Sequence, residues 1–139
     1  MQRRTSGKPR ARPCASLNFS HPLTPKQSEQ IEAAVGTPII RSIPVKAQFD
    51  VEADFVPQVV ELIESLNIAT DRWQGEPWLL VLPSLNFAAA ILLAELHGRM
   101  GHFPAFVRLK PVQGALVTEY VVAEIVNLEH VRAAARTRR

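Results

Sequence analysis

The residues Trp78, Leu79, Leu80, Val81 and Leu82, closed by Pro83, constrain this chain more than any other feature. An unbroken apolar run of this length is the pattern of a central parallel strand, because helices cover both of its faces. A strand with one wet face would alternate instead. Pro83 has no N–H to continue a ladder, so the strand ends there. The run therefore points to a layered α/β fold with crossover helices on either side of a sheet.

The flanking residues supply those helices. Thr24, Pro25 and Gln27 carry three helix-start signals: a hydroxyl cap, proline at the first helical position, and glutamine three residues after the cap. This helix is expected to stop at Gly36. Before it, residues 15–19 read as a first strand. After it, residues 38–45 read as a second, in which Pro44 marks a strand end or a sheet edge. Asp54 is placed to cap a second helix, whose Phe55, Val59, Leu62, Ile63 and Leu66 recur at helical spacing, with Glu61 and Glu64 towards water and Asn67 as the stop. A turn around Trp73 and Gly75 leads into the central run.

Ser84 is placed to cap a third helix reaching Met100. Its residues 87–94 are apolar on nearly every side, so it needs two partners, the sheet and a second subunit. Residues 106–109 and 120–126 read as two further strands. The link between them contains Pro111 and Gly114 and is too short for a crossover helix, so they form an antiparallel hairpin. The order βαβαβαββ predicts a Rossmann-like, mostly parallel sheet with helices on both faces and a C-terminal antiparallel hairpin. At 139 residues the chain suits one core, giving a single domain over 15–130 with a disordered basic leader, 1–14, and a basic tail, 131–139.

The formal charge of +3 conceals a strong asymmetry. Arg3, Arg4, Lys8, Arg10 and Arg12 lie at one end and Arg132, Arg136, Arg138 and Arg139 at the other, which leaves residues 13–131 with 7 basic and 13 acidic groups. An acidic body is a poor match for duplex nucleic acid, whose affinity comes mainly from phosphate neutralisation. The ends either bind polyanions or are simply solvated. The lone Cys14 excludes an internal disulfide, and no cysteine or histidine spacing fits a structural zinc site. No apolar stretch is long enough to cross a membrane, and the basic leader has no apolar region after it, so a reducing cytoplasm is the expected setting.

Ligands of open α/β sheets gather beyond the carboxyl ends of the strands, where helix N-termini direct unpaired N–H groups outward. Two segments qualify: Asn18, Phe19, Ser20, His21 and Thr24 after the first strand, and Pro83, Ser84 and Asn86 after the third. Neither contains a glycine-rich dinucleotide fingerprint, a phosphate-loop motif or a hydrolase nucleophile elbow. Ser20 and His21 are adjacent and so badly placed to face each other as nucleophile and base. His21 is either a turn residue or a phosphate donor and general acid/base, and the same choice applies to Asn18, Ser20, Ser84 and Asn86. His97, Arg99 and His102 crowd the end of the third helix, where the dipole favours cations over a metal site. Arg108 and Lys110 either reach a ligand across an interface or are charges on an exposed hairpin.

Residues 17–24 and 93–104, together with 108–112 and 122–128, resemble a small CRISPR-associated family, the Csx-fifteen proteins, over about residues 15–136. The resemblance implies a dimeric or larger homo-oligomeric accessory protein of type III CRISPR systems with a CARF-like fold. It further implies a cyclic oligoadenylate ligand, cyclic tetra-adenylate foremost, with no cofactor and no metal. Asn18, Phe19, Ser20, His21, Thr24, Pro83, Ser84 and Asn86 would contact that ligand. Such a protein either sequesters the messenger or opens its ring by metal-independent attack of a 2′-hydroxyl, with His21 as the candidate catalytic residue. No lysine or arginine lies in either loop, which favours capture over cleavage. An unrelated small α/β interaction module is the third alternative.

Overall fold

The computed structural model describes residues 12–114 and 116–139. The chain runs through β1 (Cys14–Asn18), α1 (Pro25–Val35), β2 (Ile39–Pro44), α2 (Phe55–Glu64), α3 (Thr70–Gly75), β3 (Trp78–Val81), α4 (Asn86–Met100), β4 (Ala105–Gln113), β5 (Thr118–Asn127) and α5 (Leu128–Arg136). The strands form one sheet in the order β2-β1-β3-β4-β5. The first four are parallel and β5 is antiparallel to β4, so the mostly parallel α/β sheet and its C-terminal hairpin are both present.

Alternation along the central strands divides the core between the two faces of the sheet. Leu17, Trp78 and Leu80 pack with Val59 and Ile63 of α2, Trp73 of α3, and Leu92, Leu96 and Met100 of α4. On the other face Leu79, Val81 and Val107 pack with Ile31 of α1. All four residues of β3 are buried, as its unbroken apolar run requires. Pro44 closes β2, and β2 is an edge strand.

The first helix begins and ends where its signals place it. The Thr24 hydroxyl accepts from the Gln27 N–H, and the Gln27 side chain accepts in return from the Thr24 N–H at 2.9 Å. Gly36 closes the helix with φ at 74°, a left-handed geometry that glycine adopts without cost. Gln27 also donates to the Tyr120 carbonyl at 2.7 Å, and Gln30 accepts from the Val122 N–H at 2.9 Å, so α1 is clamped to β5.

Several expectations are corrected. The ordered body reaches further into the leader than residue 15: Arg12 donates to the Gly75 carbonyl, and Cys14 is the first residue of β1. The rest of the leader, residues 1–11, lies outside the described residues. The turn around Trp73 is the short helix α3, because Trp73 turns inward to stack on Trp78 with ring centroids 5.1 Å apart. Ser84 does not cap α4; the N-cap position is Leu85, and no side chain caps it. Asp54 occupies the N-cap of α2 but makes no side-chain cap bond there. Pro111 sits within β4 rather than in the turn, since the β4–β5 ladder extends well past the apolar residues that reveal it in sequence. The tail expected from residue 131 is helical in its first part, in α5.

The apolar surplus of α4 finds much of its second partner within the chain. α2 and α3 flank it, and Ile91 and Leu93 pack against the core. Ala90, Ala94, Gly98 and Phe87 remain exposed on that helix. The described residues contain no helix long and apolar enough to cross a membrane.

Candidate functional site

β1 leads into α1 on one face of the sheet, whereas β3 leads into α4 on the other. The chain therefore parts in opposite directions between two adjacent strands, and a crevice opens at their carboxyl ends. The crevice is an open cleft of about 660 Å³. Asn18, Phe19, Ser20 and His21 line it from the β1 side, and Pro83, Ser84 and Leu85 from the β3 side. The two loops proposed from the sequence thus meet.

Main-chain bonds fix this meeting. The Phe19 N–H donates to the Val81 carbonyl at 2.9 Å, and the Val45 N–H donates to the Asn18 carbonyl at 2.8 Å, tying the ends of β1, β3 and β2 together. Asn18 builds its own turn. Its Oδ1 accepts from the Ser20 N–H and its Nδ2 donates to the His21 carbonyl, both at 2.9 Å. Asn18 is consequently a buried shaping residue of the rim, while Ser20 and His21 stand exposed at its mouth. Phe19 is buried beneath them.

Two of the proposed residues fall outside the cleft. Thr24 spends its side chain in the α1 cap and faces a separate groove shared with Lys26, Glu119 and Tyr120. That cap also ties up the Thr24 and Gln27 N–H groups, so the start of α1 offers an anion less than the sequence suggests. Asn86 is the first residue of α4 and does not line the cleft. The start of α4 is the opposite case. It has no side-chain cap, its helix runs for 15 residues, and Ser84 and Leu85 carry it to the cleft wall.

The sequence reading missed a third wall. The segment after β2, from Pro44 to Phe49, borders the cleft and brings Lys46 to it. Lys46 is an exposed cation in a cleft that the other two loops leave without one. Its signal was its position, two residues beyond the carboxyl end of a parallel strand adjacent to β1. An apolar lining of Pro44, Val45, Phe49 and Pro83 beside a lysine, the hydroxyl or imidazole side chains of Ser20, His21 and Ser84, and a free helix start suits a flat, anionic ligand with aromatic parts. Among the described residues, no three histidine, cysteine or acidic side chains converge as metal ligands.

The molecule so defined is a small α/β protein with an open cleft at the topological switch point of its sheet. Comparison with protein-family models, with curated proteins and with solved structures finds no match to this chain.

Proposed function

We propose that this protein is a CARF-like, Rossmann-type binder of cyclic oligoadenylate, with cyclic tetra-adenylate as the ligand, and that it sequesters the messenger to damp type III CRISPR signalling in the cytoplasm. The observation that carries this reading is the convergence of the β1 and β3 loops with Lys46 on one cleft. A phosphate of the ring sits at the uncapped start of α4, within reach of the Ser84 hydroxyl and the Lys46 ammonium. Adenine packs on the apolar wall formed by Phe49, Pro44 and Pro83. A four-fold ring is also two-fold symmetric, so two copies of the cleft can hold opposite halves of it.

Lys46 also favours a second reading, ring opening. In-line attack by a ribose 2′-hydroxyl on its own phosphate forms a 2′,3′-cyclic phosphate, breaks the bond to the 5′-oxygen, which leaves as a hydroxyl, and builds negative charge on the phosphate oxygens on the way. A lysine beside that phosphate stabilises the charge, and His21 on the same rim takes or returns the proton. Incubation of the protein with labelled cyclic tetra-adenylate separates the readings. A retarded band of intact ring supports capture, and linear product accumulating with time supports cleavage. His21→Ala is expected to leave the retarded band in place and, under the second reading, to abolish product. No shift at micromolar protein would refute both.

A further inference from the structure

α5 has no buried residue, and no acidic side chain among the described residues pairs with Arg136, Arg138 or Arg139. Its attachment to the body is slight. Glu129 accepts from the Phe103 N–H, a bond that holds its carboxyl below the ordinary carboxylate range, and the Asn127 side chain caps the helix. The remainder presents Val131, 52% exposed, with Ala134 and Ala135, beside Arg132 and Arg136. An amphipathic helix left open on this scale, with four arginines on or just beyond it, is built to lie against an acidic, partly apolar surface.

The molecule carries one such surface. Between the segment after β2 and the outer side of α2 lies a groove of about 310 Å³ lined by Gln48, Phe49, Gln58, Glu61, Leu62 and Ser65. Glu61 has no cationic partner among the described residues, nor have Asp50, Glu52 and Asp54 nearby in the chain. Val51 and Val56 stand exposed among these carboxylates, at 66% and 56%. The groove has the chemistry of an arginine socket: Phe49 and Leu62 receive the aliphatic stem, and Glu61 receives the guanidinium.

A chain cannot fill its own socket. Gln48 and Phe49 follow β2, at one edge of the sheet, and α5 follows β5, at the other edge, four strand spacings or about 19 Å away. We infer that α5 of one copy docks on the α2 groove of the next, with an arginine of α5 seated against Glu61. The two contacting surfaces are different patches at opposite edges, so the association is heterologous, head to tail, and extends beyond a pair. Opposed charge on the two patches makes it sensitive to salt. The groove shares Gln48 and Phe49 with the wall of the nucleotide cleft, but the contact itself forms without nucleotide.

Sedimentation velocity of the full chain, without nucleotide, tests it. The wild-type protein is expected to show species that grow with concentration and dissociate at high salt. The socket variant Glu61→Ala and the plug variant Arg132→Glu with Arg136→Glu change only exposed side chains, and each alone is expected to sediment as a monomer. Their equal mixture retains one intact plug and one intact socket, and is expected to stop at two chains. A wild-type protein that stays monomeric, association that survives both variants, or a mixture that remains monomeric would overturn the inference. So would loss of association in the plug variant alone, as when α5 serves a nucleic acid that links the copies.

Discussion

Trp73→Ala is expected to remove about 3–5 kcal/mol of folding stability, a large fraction of the roughly 5–15 kcal/mol that keeps a native domain folded. Trp73 is 2% exposed, stacks on Trp78, and joins α3 to the cluster that α2 and α4 build over β1 and β3. Its indole N–H is buried with no partner in the described structure. An unpaired buried donor carries a desolvation cost of roughly 1–3 kcal/mol, which Trp73→Phe would relieve while leaving a smaller void. The phenylalanine variant should therefore keep most of the wild-type stability. Urea unfolding of both proteins checks this. An alanine variant within about 1 kcal/mol of wild type would show that α3 is not part of the core.

Much of this fold could be read from particular residues. The run from Trp78 to Leu82 located the central strand because burial on both faces removes polar alternation, and the structure buries all of β3. Thr24, Pro25, Gln27 and Gly36 marked both ends of α1, since cap chemistry is local and needs no tertiary partner. Ser84 failed as a cap for a related reason. The helix begins at Asn86 with Leu85 at its N-cap position, so Ser84 sits one residue too early and makes no cap bond to the helix amides. α3 was hidden because six residues hold too little periodicity to reveal a helix, and what orders it is the burial of Trp73 against distant elements.

The cleft was legible to a similar extent. Strand ends can be located from sequence, so the β1 and β3 loops were identified. Their adjacency depends on strand order, which no local pattern encodes. Lys46 is not singled out by the sequence because Pro44 signals only a strand end or a sheet edge, whereas parallel pairing with β1 brings the carboxyl end of β2 to the same rim.

Lys46→Glu is expected to weaken cyclic tetra-adenylate binding by about 100- to 1000-fold. Loss of a hydrogen bond to a charged group is worth roughly 1.5–3 kcal/mol, and repulsion between the new carboxylate and a phosphate adds about 1–2 kcal/mol at an effective dielectric near that of a protein surface. Lys46→Met removes only the attraction and should cost about 10- to 150-fold, with a shallower dependence of affinity on salt. Lys46 is exposed and makes no ion pair among the described residues, so both variants should fold as the parent does. Isothermal titration at two salt concentrations reads both effects. A glutamate variant that binds like wild type would remove Lys46 from the site.

Backbone amide shifts on titration with cyclic tetra-adenylate test the cleft most directly, because they report where an anion meets the chain. The largest changes are expected at Ser20, His21, Lys46, Ser84 and the first turn of α4, with the capped start of α1 little affected. Saturating shifts confined to α5, or no shifts at micromolar protein, would contradict a nucleotide site at the switch point of the sheet.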